Sequence, residues 1–195
     1  MELISNILYW ISTGLLVPVI VILIFLFLRA LVLVGTFFGQ YLAIRKGVAQ
    51  VRKALTGVTR ENVDDVLERL PKHDDLLVVR YARQIIAARE SQAEVQRLMS
   101  EFEIAADQDL STSRVLSKLG PMLGLMGTLI PMGPALAGLA TGDIESMARN
   151  MQVAFATTVT GLVAAAIGYV TQQVKQRWYL QDMANLEYLS DVLKQ

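Results

Sequence analysis

Four hydroxyls sit where hydroxyls are costly. Thr128, Thr157, Thr158 and Thr160 lie in two segments, residues 119–141 and 151–174, that contain no charged side chain. A hydroxyl offers one donor and two acceptor lone pairs, so a group of them in apolar surroundings can hold water or coordinate a desolvated cation. The simpler role is local, because a helical threonine readily donates to the carbonyl three or four residues back. Three threonines within four residues, facing a segment with its own threonine, weigh towards a shared role. Other chemistry is poorly supplied. Cysteine is absent, which removes thiolate metal sites and cysteine nucleophiles. The one histidine, His73, stands in the polar run Pro71-Lys72-His73-Asp74-Asp75 and reads as a solvated turn residue. With no paired acid and base, metal cluster, nucleophile elbow or phosphate loop, the chain is not expected to be an enzyme or to carry a cofactor.

The elements that carry the hydroxyls are membrane helices. At about 1.5 Å of rise per residue each segment gives roughly 35 Å of helix, enough for a hydrocarbon core of about 30 Å. Composition agrees: 53% of residues are hydrophobic, 18% are charged and the mean hydropathy is +0.43. The net charge of zero gives no basis for a nucleic-acid partner. A third apolar region, residues 7–43, is interrupted only by Arg29. It starts after Glu2 instead of a basic stretch and is too long for a secretory signal, so it reads as the first membrane helix. Two placements compete, residues 7–28 with Arg29 at the membrane edge, or residues 15–38 with Arg29 inside. The insertion cost of a central arginine, about 3 kcal/mol, favours the first. The helix is expected to run on to Leu55, with Gly57 as its C-cap.

Basic residues set the topology. Arg45, Lys46, Arg52 and Lys53, with more up to Lys118, lie between the first two membrane helices, and Lys175 and Arg177 follow the third. The N-terminus and the connection at 142–150 hold only Arg149 against Glu2, Asp143 and Glu145. The positive-inside rule puts the N-terminus and that connection outside and the rest in the cytoplasm. Four parts result: residues 1–44, a helical cytoplasmic segment 45–118, a transmembrane hairpin 119–174, and a C-terminal cytoplasmic helix 175–195. The segment 45–118 is expected to be a mixed-charge helical region and not an independent globular domain. Val63, Val66, Leu67 and Leu70 follow a Thr59 N-cap and stop at Pro71. A further helix starts near Asp74 or Asp75 and runs almost unbroken into the second membrane helix. Its charges, among them Arg97 and Glu101, read as a solvated face with i,i+4 pairs.

Small residues mark the hairpin's packing faces. Gly120, Gly124, Gly127, Thr128, Pro131, Ala135 and Gly138 advance by threes and fours, and Ala154, Thr157, Thr158, Gly161, Ala165 and Gly168 form a matching stripe. Pro131 and Pro134 each delete a backbone donor and free a carbonyl one turn earlier. Neither helix offers a group that takes up and releases a proton. A partner must supply a titrating carboxylate, or the ion must be held by hydroxyls and carbonyls.

The run Leu119-Gly120-Pro121-Met122-Leu123-Gly124-Leu125-Met126-Gly127-Thr128 resembles the second membrane helix of the TolQ and ExbB branch of the MotA/TolQ/ExbB proton-channel family. Ala154-Phe155-Ala156-Thr157-Thr158-Val159-Thr160-Gly161-Leu162 resembles that family's third-helix motif, with the motif threonine at Thr158 and its glycine at Gly161. The resemblance implies an all-α integral membrane protein with three transmembrane helices in the cytoplasmic (inner) membrane. It also implies a homopentamer around a single-span partner of the TolR, ExbD or MotB kind, whose intramembrane aspartate lies beside Thr128 and Thr158. Ion flow would then drive mechanical work, with Thr157 and Thr160 secondary on the path and Pro131, Pro134, Gly161 and Gly168 shaping it. Many ExbB-like members carry a glutamate five residues before the motif threonine. Val153 stands there in this chain, with Gln152 beside it, and H+ and Na+ both stay open as the permeant ion. The reading from another class is a non-conducting helical scaffold.

Overall fold

The computed structural model describes residues 2–55, 63 and 76–194. All regular structure among them is helical: α1 (Glu2–Gly14), α2 (Leu16–Leu55), α3 (Leu77–Ala87), α4 (Gln92–Thr141) and α5 (Ile144–Lys194). The expected Gly57 and Thr59 caps, Val66, Leu67 and Leu70, the Pro71 stop, His73 and the start at Asp74 or Asp75 lie outside the described residues. Among the described residues three stretches are long and apolar enough to cross a membrane: Asn6–Tyr41, Gln92–Thr141 and Ile144–Lys194.

The first apolar stretch is broken once. Pro18 has no N–H for the carbonyl of Gly14, and its ring crowds that carbonyl, so the helix pauses at Leu15. Leu15 N–H still bonds Ile11 O and Ser12 O at 3.1 Å, and Val19 N–H bonds Leu15 O at 3.0 Å, which carries the chain into α2. The break falls within residues 7–28. At its far end α2 is helical through Leu55, the last residue described before Val63. Arg29 lies over the Phe25 ring, 5.8 Å from its centroid.

The chain divides into two compact units. One comprises Met1–Val34 with Thr112–Thr171, the other Gly35–Ser111 with Gln172–Gln195. In the first, Leu26, Ala30 and Leu33 of α2 pack with Leu116 of α4 and Ala164 of α5, flanked by Leu123 and Ile167. The second has an apolar core that residues of the 45–118 segment share with the C-terminal part of α5. Val63, Val78, Val79, Ala82, Ile85 and Ile86 pack with Val95, Leu98, Met99 and Phe102 of α4 and with Leu186, Leu189 and Leu193 of α5. Phe102 is central to it, edge-on to both Tyr81 and Tyr179. Exposed charges pair as expected along the solvated face, with Arg97 bonded to Glu94 and to Glu101.

The expected continuity into the second membrane helix is interrupted at residues 88–91. Ala88 N–H bonds Gln84 O at 2.9 Å to close α3, and Ser91 Oγ then accepts from Glu94 N–H at 3.4 Å to open α4. Ser91-Gln92-Ala93-Glu94 has the S-x-x-E spacing of a capping box. The apolar periodicity spans the break because both helices face one core.

A buried charge accompanies that core. Lys175 is 3% exposed, and its Nζ donates to Asp109 Oδ2 at 2.8 Å. Tyr179 Oη donates to the same oxygen at 2.6 Å. Burial and that bond hold the Tyr179 phenol far above its ordinary range. Three residues on, burial pushes the Asp182 carboxyl up to about 7. Its contribution to stability is full below the unfolded value near 3.8 and is lost as pH rises towards 7. Asp182→Asn should therefore raise the thermal midpoint of the purified protein at pH 8 and leave it nearly unchanged at pH 4. Asp109→Ala strands the Lys175 ammonium and should cost about 3 kcal/mol in a denaturation measurement at pH 7, while Lys175→Met should cost less.

Candidate functional site

The hairpin turns on two residues. Gly142 has φ +77, the left-handed region that glycine enters without a Cβ penalty. Its N–H bonds Leu139 O at 3.2 Å and the next, Asp143 N–H, bonds Gly138 O at 2.8 Å, which is the Schellman pair that closes a helix. Asp143 then caps α5, its Oδ1 accepting from Ser146 N–H at 3.0 Å. The connection expected at 142–150 is thus shorter. Residues 144–150 are helical, with Glu145 paired to Arg149 at 2.6 Å and Asn150 Nδ2 donating to Ser146 O at 2.9 Å. At the other end α5 continues through 174 to Lys194 without a break.

Along the seam between α4 and α5 the two backbones touch. A Cβ placed on Gly161 would lie 2.5 Å from Gly120 O and 2.9 Å from Gly124 Cα, and one on Gly120 would lie 2.7 Å from Gly161 O. At Gly168 it would lie 2.7 Å from Ser113 O and from Leu116 Cβ. Such distances leave room for hydrogen alone. Gly124 is looser, its nearest neighbours in Thr157 and Thr158 at 3.5 Å. Pro131, Ala135 and Gly138 are buried on the same α4 stripe, Ala154, Ala164 and Ala165 on that of α5, while Pro134 is half-buried beside it. The small-residue stripes therefore face each other inside one chain. The helix of α4 runs through Pro121, Pro131 and Pro134.

The four threonines are not brought together. Thr157 is in the seam, 6% exposed, its hydroxyl donating to Val153 O at 3.0 Å and Ala154 O at 2.9 Å and lying where a Gly127 Cβ would go, 2.5 Å away. Thr128, Thr158 and Thr160 are half-buried, and each donates to its own helix: to Leu125 O at 2.7 Å, Ala154 O at 3.1 Å and Ala156 O at 2.8 Å. At about 100° per residue, Thr128 and Thr158 fall on the same flank of the seam and Thr160 on the opposite one. The Thr160 flank is the one α2 covers, through Leu26, Ala30 and Leu33 against Leu123, Ala164 and Ile167. Thr158 is level with Gly124, so Thr128 stands about one helical turn away from it along the same flank.

That flank has a defined chemistry. Each hydroxyl gives its proton to a carbonyl of its own helix, so the acceptor lone pairs remain for a cation, a water or a protonated acid. No Asp, Glu, His, Lys or Arg occurs in residues 119–141 or 151–174. Sequence reasoning missed the Asp109–Lys175–Tyr179 cluster of the second unit. A signal existed: Lys175 and Tyr179 continue the buried α5 stripe of Gly168 and Thr171, and a lysine on a buried stripe requires an acid opposite.

The seam makes a sharp contrast testable. Gly161→Ala forces a methyl onto the Gly120 carbonyl and should cost more than about 2 kcal/mol. Gly124→Ala meets only ordinary contacts and should change stability by less than about 0.5 kcal/mol. Thermal unfolding of both variants in the same detergent would measure the difference.

The profile of the MotA/TolQ/ExbB proton channel family matches residues 42–187, about three quarters of the chain. No curated protein and no solved structure matches significantly. Three membrane-length helices, a glycine-lined hairpin and that match over most of the sequence lead to one conclusion: the chain belongs to the MotA/TolQ/ExbB proton channel family.

Proposed function

We propose that this chain is a stator-like ion-channel subunit of the TolQ/ExbB kind in the inner membrane. It passes H+ or Na+ along the flank of the hairpin that carries Thr128 and Thr158. The observation that supports this most is the asymmetry of the hairpin. Thr160's flank is occupied by α2, whereas the Thr128 and Thr158 hydroxyls share the other flank with their acceptor lone pairs unspent. Thr157 acts in this reading by locking the seam against Gly127, and Thr160 is a helix-bonded hydroxyl away from the path.

A neutral flank cannot relay a proton by itself, because hydroxyls do not titrate in the physiological range. The carboxylate comes from a single-span partner of the TolR, ExbD or MotB kind, seated against the flanks of a ring of five copies. The hairpin supplies acceptors that hold the ion or the protonated acid. The partner supplies the charge that changes, and its movement performs the work. The segment 45–118 and the tail after residue 174 are cytoplasmic, the Gly142–Asp143 turn lies outside, and the protein is not an enzyme.

A scaffold without conduction has one observation in its favour. All four hydroxyls are already hydrogen-bonded within their own helices, as membrane threonines commonly are. Two measurements separate the readings. Native mass of the detergent-extracted protein, alone and co-expressed with the single-span protein encoded beside it, should give a five-copy ring that takes up two partner chains. In that complex Thr158→Ala should lower ion flux by about tenfold, as expected for one lost polar contact to the ion of roughly 1.4 kcal/mol, while Thr160→Ala leaves it unchanged. Unchanged flux in Thr158→Ala, with the ring intact, would establish the scaffold.

A further inference from the structure

The second unit contains an open groove between α4 and α5 of about 300 Å³, lined by Gln96, Met99, Ser100 and Glu103 on one side and by Met183, Glu187, Ser190, Asp191 and Lys194 on the other. Its floor is apolar and adaptable, with Met99 buried and Met183 half-buried. Its charge is one-sided. Lys194 is taken by Asp191 at 2.9 Å, and Glu103 and Glu187 make no ion pair among the described residues. Ser190 is 6% exposed and lines both this groove and its neighbour, a cavity of about 230 Å³, and has no hydrogen-bond partner among the described residues. The groove thus presents a serine hydroxyl together with the Glu103 and Glu187 carboxylates as acceptors.

The chain itself holds a complementary segment. From Ala30 to Leu55 there is no acidic residue, and Arg45, Lys46, Arg52 and Lys53 give four positive charges. The helix that carries them is α2. Within one copy α2 is committed to the other face of α5: Phe37 and Tyr41 pack on Trp178, with ring centroids at 5.6 and 6.0 Å. Glu187 is nine residues beyond Trp178, about 180° around the helix, and Asp191 is within about 40° of that direction. A copy's own α2 thus approaches α5 from the side opposite the groove. Residues 56–75 are no better suited, since they carry six acidic side chains against three basic ones.

We propose that the groove receives the basic segment, residues 45–53, of a neighbouring copy of the chain. One face of α5 then holds its own α2 and the opposite face holds the next copy's. Such a contact is heterologous, and repeated with a fixed rotation it closes a ring. Carboxylates from Glu103 and Glu187 receive the guanidinium and ammonium groups, Ser190 accepts one of their N–H donors, and the methionines take the aliphatic stems. The inference rests on the multi-copy ring of the proposed function.

The absence of cysteine makes the test direct. One tagged full-length copy carries Glu187→Cys, and a second, differently tagged, carries a single cysteine at Arg45, Lys46, Arg52 or Lys53. The two are co-expressed, oxidised in the membrane, and measured for native mass and disulfide-linked species. A covalent heterodimer from at least one pair supports the proposal. An intact oligomer with no heterodimer from any pair overturns it and leaves the ring standing. A monomeric native mass overturns the ring and the contact with it. As a second readout, Glu187→Lys with Asp191→Lys should abolish the oligomer, and adding Arg52→Glu with Lys53→Glu should restore it. Retention of the oligomer in the first double variant counts against the contact.

Discussion

Backbone contact between α4 and α5 is the constraint on which the first unit depends. Where a Gly161 Cβ would sit 2.5 Å from a carbonyl oxygen, the helices are closer than any side chain allows. Apolar side chains gain little by associating in lipid, because the surroundings are as apolar as they are. Close packing of small residues therefore supplies the attraction that a soluble core draws from water. The same closeness governs the polar groups. Thr157 fits because it faces Gly127, and its hydroxyl is satisfied by two carbonyls of its own helix. A threonine there must turn inward and so serves packing. The threonines one step around the helix, at 128 and 158, leave the seam with acceptors unspent on the flank that α2 does not cover.

The two units solve the problem of polarity in opposite ways. The hairpin segments carry no charge, and every threonine at issue bonds its own backbone. The second unit buries a lysine against a partly exposed aspartate, with two half-buried tyrosines beside an apolar core. Charge can be buried there because a single carboxylate oxygen of Asp109 accepts from both Lys175 and Tyr179, so the ammonium keeps a counter-charge. Asp182 has no such compensation, and its carboxyl rises to about 7 through burial alone. Burial thus pushes a carboxyl of the second unit towards neutrality, while the hairpin segments hold no Asp, Glu, His, Lys or Arg.

Membership of the MotA/TolQ/ExbB family gives this division a use. In the proposed channel, a lining without Asp, Glu, His, Lys or Arg holds no fixed charge to trap an ion and leaves the protonation step to the carboxylate brought against it. The asymmetry of the hairpin, one flank under α2 and the other open, lets a three-helix subunit present polar acceptors in a single direction. A symmetric hairpin would expose hydroxyls to lipid on one side.

Much of this was legible in the residues. The three apolar stretches follow from length and composition, and the facing stripes from small residues spaced by threes and fours. The break at 88–91 was written as Ser91-x-x-Glu94, but was masked by a periodicity that both flanking helices share because they face one core. The Gly142–Asp143 turn was likewise written in two residues, yet hydrophobicity averages over several positions and blurs it into a nine-residue connection. By itself the sequence determined which segments are helical, which faces are small, and that no proton carrier lies in the hairpin, since these depend on residue type and periodicity alone. Which flank of the seam α2 covers, and so which threonines stay open, was decided by tertiary structure. The same holds for the choice of Asp109 as the counter-charge to Lys175, because partners 66 residues apart are matched by the register of two packed helices and not by anything local.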